Sequence, residues 1–222
     1  MPIFPNRFFT PILCIIQLMK LELYINKTAK YIPSDENPSE SPKLPYVDAL
    51  FKRRLSQISR MTIEVVHNVV DGSDLAKDTK LVFASFRGEI ARQLKVNKGL
   101  VEDFEVLPAQ FSISVFNTPP AVATIALGMK AGYTAVYPGR KNFSAALASA
   151  VAPILSGKEK HVIFAFADEK VPDEYEGVDS GAVKERALAF ACEISSEKAD
   201  GGIPLAKLEY ESPWKFLESI EK

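Results

Sequence analysis

The stretch YTAVYPGRKNFSAALASAVAPILSGKEKHVIFAFADE, Tyr133 to Glu169, decides how the chain is read. YTAVY is a short apolar strand, Pro138-Gly139 is a turn, and the small-residue run from Asn142 is a helix. HVIFAFADE, His161 to Glu169, is an unbroken apolar run short enough to be a strand buried on both faces. Enzymes often mount a nucleophile on such a strand-turn-helix corner, where the helix N-terminus stabilises an anion. This corner offers Gly139, Arg140, Lys141 and Asn142, with no thiol or hydroxyl among them. Pro153 inside the helix is expected to kink or shorten its last turn.

Outward from that stretch the pattern is a layered one. KLELYINKTAKYI, Lys20 to Ile32, alternates with period two and predicts a strand. Pro33 to Pro45 carries four prolines and is a loop. Asp48 to Val70 predicts one long helix, with Phe51, Leu55, Ile58, Thr62, Val65 and Val69 on a single stripe. KLVFASF predicts a strand and EIARQLKVNK a helix, while PAQFSISVFNTPP reads as extended up to a short helix from Ala121. VPDEYEGVDSG is an acidic loop, RALAFACEIS a strand without a crossover helix before it, hence antiparallel, and SPWKFLESIEK a closing helix. Strands alternating with helices argue an α/β fold with a mostly parallel sheet.

Composition narrows the chemistry. The chain has 222 residues, 47% apolar and 25% charged, with a net charge of −1, so no bulk field points to nucleic acid or membrane. Two cysteines, Cys14 and Cys192, and two histidines, His67 and His161, have no metal-ligand spacing, and no cofactor is implied. A reducing cytoplasm is the expected compartment. The apolar run Phe8 to Met19 is interrupted by Pro11 and is too short to span a bilayer, so residues 1–18 are expected to be an extension, or the product of an upstream start, ahead of a domain over 19–222.

Several stretches together carry a resemblance. RRLSQISRM, VFASFRGEIAR, FSISVFNT and ADE, in that order, with the strand-corner-helix-strand unit already quoted, resemble the N-terminal domain of β-ketoacyl synthases. From Met19 onward the chain is similar to the short chain length factors of aryl polyene and related gene clusters. The resemblance implies a thiolase-like half, a five-stranded mixed sheet with helices on both faces. A full synthase has two halves, with its cysteine at the corner of the first and two histidines from the second. Here the cysteine position falls at or next to Arg140, and the chain matches the first half alone.

The same resemblance implies a non-catalytic subunit pairing with a catalytic β-ketoacyl synthase in fatty acid or polyketide assembly, with an acyl carrier protein as further partner. It places Phe116, Asn117, Tyr133 and Tyr137 at a dimer interface or acyl tunnel. The basic run Lys52, Arg53, Arg54 and Arg60 is a candidate carrier-protein contact, set against the ordinary reading of a solvated face. Two alternatives stay open: a small acyltransferase or hydrolase using Ser144 or Cys192, and a homodimeric module that binds acyl carrier protein.

Overall fold

A computed structural model describes residues 22–73, 78–139 and 142–222. The extension at 1–18, Cys14, Arg140 and Lys141 lie outside the described residues.

One sheet organises the chain. Its strands are β1 (Tyr24–Tyr31), β2 (Lys80–Ala84), β3 (Tyr133–Val136), β4 (His161–Asp168), β5 (Leu188–Ser195) and the two-residue β6 (Ile203–Pro204). Their spatial order is β3-β2-β4-β5-β1-β6. β2 is parallel to β3 and β4; β5 runs antiparallel to β4, and β1 antiparallel to β5 and β6. The antiparallel last long strand is as the sequence predicts and the mixed sheet is as the resemblance implies, but the sheet is not mostly parallel, because β1 and β6 also pair antiparallel. β6 is additional to the five expected strands, too short to leave a period in the sequence.

The helices are α1 (Ala49–Lys52), α2 (Gln57–Val70), α3 (Ile90–Lys98), α4 (Pro108–Phe111), α5 (Thr118–Leu127), α6 (Phe143–Leu155), α7 (Ser180–Lys184) and α8 (Pro213–Ile220). The single helix expected over Asp48 to Val70 is in fact two. Asp48 caps α1 by accepting from the Leu50 and Phe51 amides, and Ser56 restarts the chain as N-cap of α2 by accepting from Ser59 N. Phe51 and Leu55 still pack on the α2 core, so the apolar stripe runs through a break that it does not reveal. The stretch expected to be extended holds α4, and α5 begins at Thr118 with prolines in its first turn, where their missing N–H costs nothing. The acidic loop holds a 3-10 turn, Asp173–Tyr175, and its end runs into α7, capped by Asp179.

β4 explains the layering. Ile163, Ala165 and Ala167 face the α2 and α5 side, while Val162, Phe164 and Phe166 face the α6 and α8 side. Alanines let α2 lie close on one face. On the other, Phe143 of α6, Phe164, Phe166, Phe190 and Phe216 of α8 form an aromatic core with ring centroids 5.5–6.2 Å apart. Each such buried ring contributes about 1.5–3 kcal/mol. Because the chain runs outward from β2 to edge strand β3 and then returns past β2 to β4, its direction reverses at the carboxyl ends of β2 and β4, where α/β sheets leave a crevice.

Candidate functional site

Of the corner after β3, Gly139 and Asn142 are described. Gly139 takes a left-handed φ of +71° and its carbonyl accepts from Asn142 N at 3.1 Å, which turns the chain into α6. Ser144 donates to Asn142 Oδ1 at 3.2 Å. The potential reactive groups lie elsewhere. Cys192 is fully buried in mid-β5, and burial pushes its thiol well above the usual range. Register aligns Val136, at the end of β3, with Ala84 and then with Phe166. His161 opens β4 at the opposite edge, roughly 17 Å along the strand from Phe166. Its Nδ1 lies 4.0 Å from Glu193. His67 sits in the last turn of α2, stacked on Tyr46 with centroids 3.6 Å apart, also toward the far edge.

The four predicted interface residues come together. Phe116 meets Tyr137 edge-on at 5.8 Å, and Asn117 Nδ2 donates to the Tyr133 hydroxyl at 2.9 Å. They flank β3, an outer strand bonded only to β2 among the described residues. Around this flank Tyr137 is 66% and Ile125 69% exposed. Elsewhere, in the segment that follows α3, Val101, Leu107 and Phe111 are exposed, and Phe104 is 88% exposed at a φ of +54°.

The basic run is divided rather than gathered. Lys52 Nζ donates to the Leu44 carbonyl at 2.9 Å, and Arg60 Nη2 to the Lys52 carbonyl at 2.8 Å, so both are tied to backbone. Arg53 and Arg54 are exposed in the turn between α1 and α2.

Sequence reasoning assigns no role to a buried polar cluster at the carboxyl ends of β2 and β4. Asp168 Oδ1 accepts from Ser85 Oγ at 2.6 Å and from the Phe86 and Arg87 amides at 3.0 and 3.3 Å. Arg87 reaches Asp168 Oδ2 at 3.6 Å and also pairs with Glu185. Glu89 Oε1 accepts from Ser56 and Ser59 hydroxyls at 2.7 and 2.6 Å, and its Oε2 from Arg92 Nε at 3.2 Å. Glu169 accepts from Ala91 N at 3.0 Å and Ile58 N at 3.4 Å, so one carboxylate caps the N-termini of α3 and α2 together. Burial pushes Asp168 up to about 6, opposed by Ser85 and Arg87. Burial, with Glu89 nearby, pushes Glu169 up to about 7. Gly88, at φ +61°, lets this loop turn against Phe116: a Cβ there would lie 2.7 Å from Phe116 Cδ2.

Three of the four stretches that carried the resemblance thus supply this cluster, and FSISVFNT packs on it through Phe116. Among the described residues no His, Cys, Asp or Glu grouping could hold a metal, and no helix is long and apolar enough to cross a membrane.

Known proteins share the architecture. The fold is similar to that in the structure of a ketosynthase, ApeO, in complex with its chain length factor, ApeC, from Xenorhabdus doucetiae. That match has 20% identity and a TM-score of 0.64 and covers 81% of this chain and 81% of that chain. The ishigamide ketosynthase/chain length factor matches at 12% identity and TM-score 0.58, over 78% of this chain and 62% of that chain. AntDE:AntF, a type II polyketide synthase acyl-carrier protein in complex with its ketosynthase, matches at 11% and 0.60, over 79% and 63%. At these identities the likeness is one of fold: the thiolase-like α/β half, here with a sixth short strand. No curated protein matches the sequence. Residues 27–211 match the family described as the β-ketoacyl synthase N-terminal domain, and with most of its length inside that match the chain belongs to this family.

Proposed function

We propose that the chain is a non-catalytic, chain-length-factor-like subunit that pairs with a catalytic β-ketoacyl synthase during fatty acid or polyketide chain assembly. The observation that carries this reading is the corner. Condensation needs a thiolate to accept the acyl group and imidazoles to stabilise the developing oxyanion. The corner sequence is Gly139-Arg140-Lys141-Asn142, and a guanidinium, which stays protonated at neutral pH, accepts no acyl chain. Cys192 is sealed in the sheet and both histidines lie toward the opposite edge. The acyltransferase alternative fares poorly on the same ground: Ser144 donates to Asn142, with no imidazole beside it among the described residues.

The flank of β3 supports a partner. An exposed edge strand beside exposed apolar side chains is an aggregation hazard unless another chain covers it. Phe116 and Tyr137, in contact on that flank, would limit the length of a growing acyl chain by steric exclusion. Overfilling a packed cavity costs about 1–3 kcal/mol, enough to stop one further extension. Co-expression with a ketosynthase from the same gene neighbourhood tests the reading. Co-migration on a sizing column, with product length shifted by Tyr137→Ala, is expected. Separate migration with unchanged product contradicts it.

A further inference from the structure

We infer that the pocket between the carboxyl ends of β2 and β4 and the start of α8 binds a small aromatic monocarboxylate, its ring against Trp214 and its carboxylate on Arg186. The inference does not rest on the subunit role above.

The pocket has a volume of about 320 Å³. At about 30 Å³ per water that is the space of roughly ten waters, enough for one ring with a short acid side chain. Phe86, Phe166, Leu188, Pro213 and Trp214 make its apolar wall. Phe86 meets Phe166 edge-on at 5.1 Å, and both Phe86 and Trp214 pack on the aromatic core behind them. The wall is therefore firm and mostly aromatic. A flat ring suits it, because rings pair edge-to-face or offset and gain beyond the area they bury.

The two arginines of the pocket differ. Arg87 is nearly buried and is held between the two carboxylates that line the pocket, Asp168 and Glu185, so it offers no charge to a ligand. Arg186 is exposed, and its ion pair, 2.8 Å from Nε to Asp35 Oδ1, is with a carboxylate that is itself 80% exposed. An exposed pair of this kind contributes little to stability, and Asp35 is rehydrated when it lets go. A guanidinium carries five donors in a fork that matches a carboxylate, and a pair made through Nε does not exhaust them. The Arg186 guanidinium carbon lies 5.8 Å from the centroid of the Trp214 ring, which keeps the charge at the edge of the apolar wall.

This arrangement selects among ligands. A neutral ring fills the wall and leaves Arg186 unused. A phosphate monoester brings close to two negative charges toward Asp168 and Glu185. An acyl group held as a thioester presents no carboxylate to Arg186. One ring with one carboxylate meets both halves of the pocket.

Trp214 is the only tryptophan in the chain, so its fluorescence reports on this pocket. Titrating the full chain with 3-phenylpropionate at neutral pH should change that signal saturably, with a Kd of about 1 mM or tighter. The neutral 3-phenylpropanamide should bind about tenfold more weakly, and phenyl phosphate more weakly than the acid. Arg186→Gln should lower affinity for the acid about tenfold and leave that for the amide unchanged, which abolishes the preference between them. Arg53→Gln, at an exposed arginine outside the lining, should bind the acid within about twofold of wild type. The proposal is overturned if the acid gives no saturable change, if wild type binds acid and amide equally, if phenyl phosphate binds more tightly than the acid, if Arg186→Gln keeps the preference for the acid, or if Arg53→Gln loses as much as Arg186→Gln.

Discussion

At the carboxyl ends of β2 and β4, buried carboxylates are surrounded by donors: Asp168 by a hydroxyl, two amides and a guanidinium, Glu169 by two helix N-termini. A few residues away, on the flank of β3, apolar side chains such as Ile125 and Tyr137 face solvent beside an open strand edge. The first region has met its requirements inside the chain, and its polar residues serve the fold. The second has not, and its unmet requirement is what points to another chain. Polar residues in a conspicuous crevice are therefore the weaker functional signal here, and bare hydrocarbon is the stronger one.

The contrast is challenged most forcefully at Asp168. Asp168→Ala leaves Arg87 half-paired, with Ser85 Oγ and two amides deprived of their acceptor, and should cost about 3–5 kcal/mol in urea unfolding. Recovery of full stability would show that the cluster is not structural. Gly88→Ala comes next at about 1–3 kcal/mol, from the positive φ and the clash with Phe116, and should also disturb the Phe116–Tyr137 contact. Near-native stability would mean that the loop turns without glycine.

A pH comparison probes the same region. The Glu169 carboxyl, ordinarily near 4.5, is raised in the fold to about 7 by burial. The folded state then holds the proton more tightly than the unfolded chain. The resulting stability is complete below the unfolded value and is lost as pH rises through about 7. Wild type should therefore lose about 1–2 kcal/mol more than Glu169→Gln between pH 5 and pH 8. Parallel pH profiles would remove the effect.

The smallest change in stability belongs to the exposed apolar side chains. Phe104→Asn removes an exposed ring at φ +54°, a conformation asparagine adopts more readily, so the isolated chain should move by no more than about 0.5 kcal/mol. Ile125→Glu should be equally mild in isolation yet weaken association with the ketosynthase partner. A large loss of folding stability in either variant would place that side chain in the core rather than on an open surface.

Much of the fold was legible because burial on both faces leaves an unmistakable run. HVIFAFAD could be little but a central strand, and the missing crossover before RALAFACEIS gave its antiparallel direction. The break before α2 was hidden, because Phe51 and Leu55 keep the apolar stripe in phase across it. The cluster was hidden for a different reason. Ser56, Ser59, Glu89 and Glu169 are each unremarkable in their own stretch, and only the strand order brings them into contact. Lys52 and Arg60 read as free surface charges in the sequence because their carbonyl partners are set by the α1–α2 turn, which periodicity does not encode.

Whether this chain ever carries the acyl group is decided by intact-mass spectrometry after incubation with an acylated carrier protein, with the chain alone and then together with a ketosynthase. A non-catalytic subunit keeps an unmodified mass in both cases, with acylation confined to the ketosynthase. A stoichiometric acyl adduct on this chain, lost in Ser144→Ala or Cys192→Ala, would contradict that role.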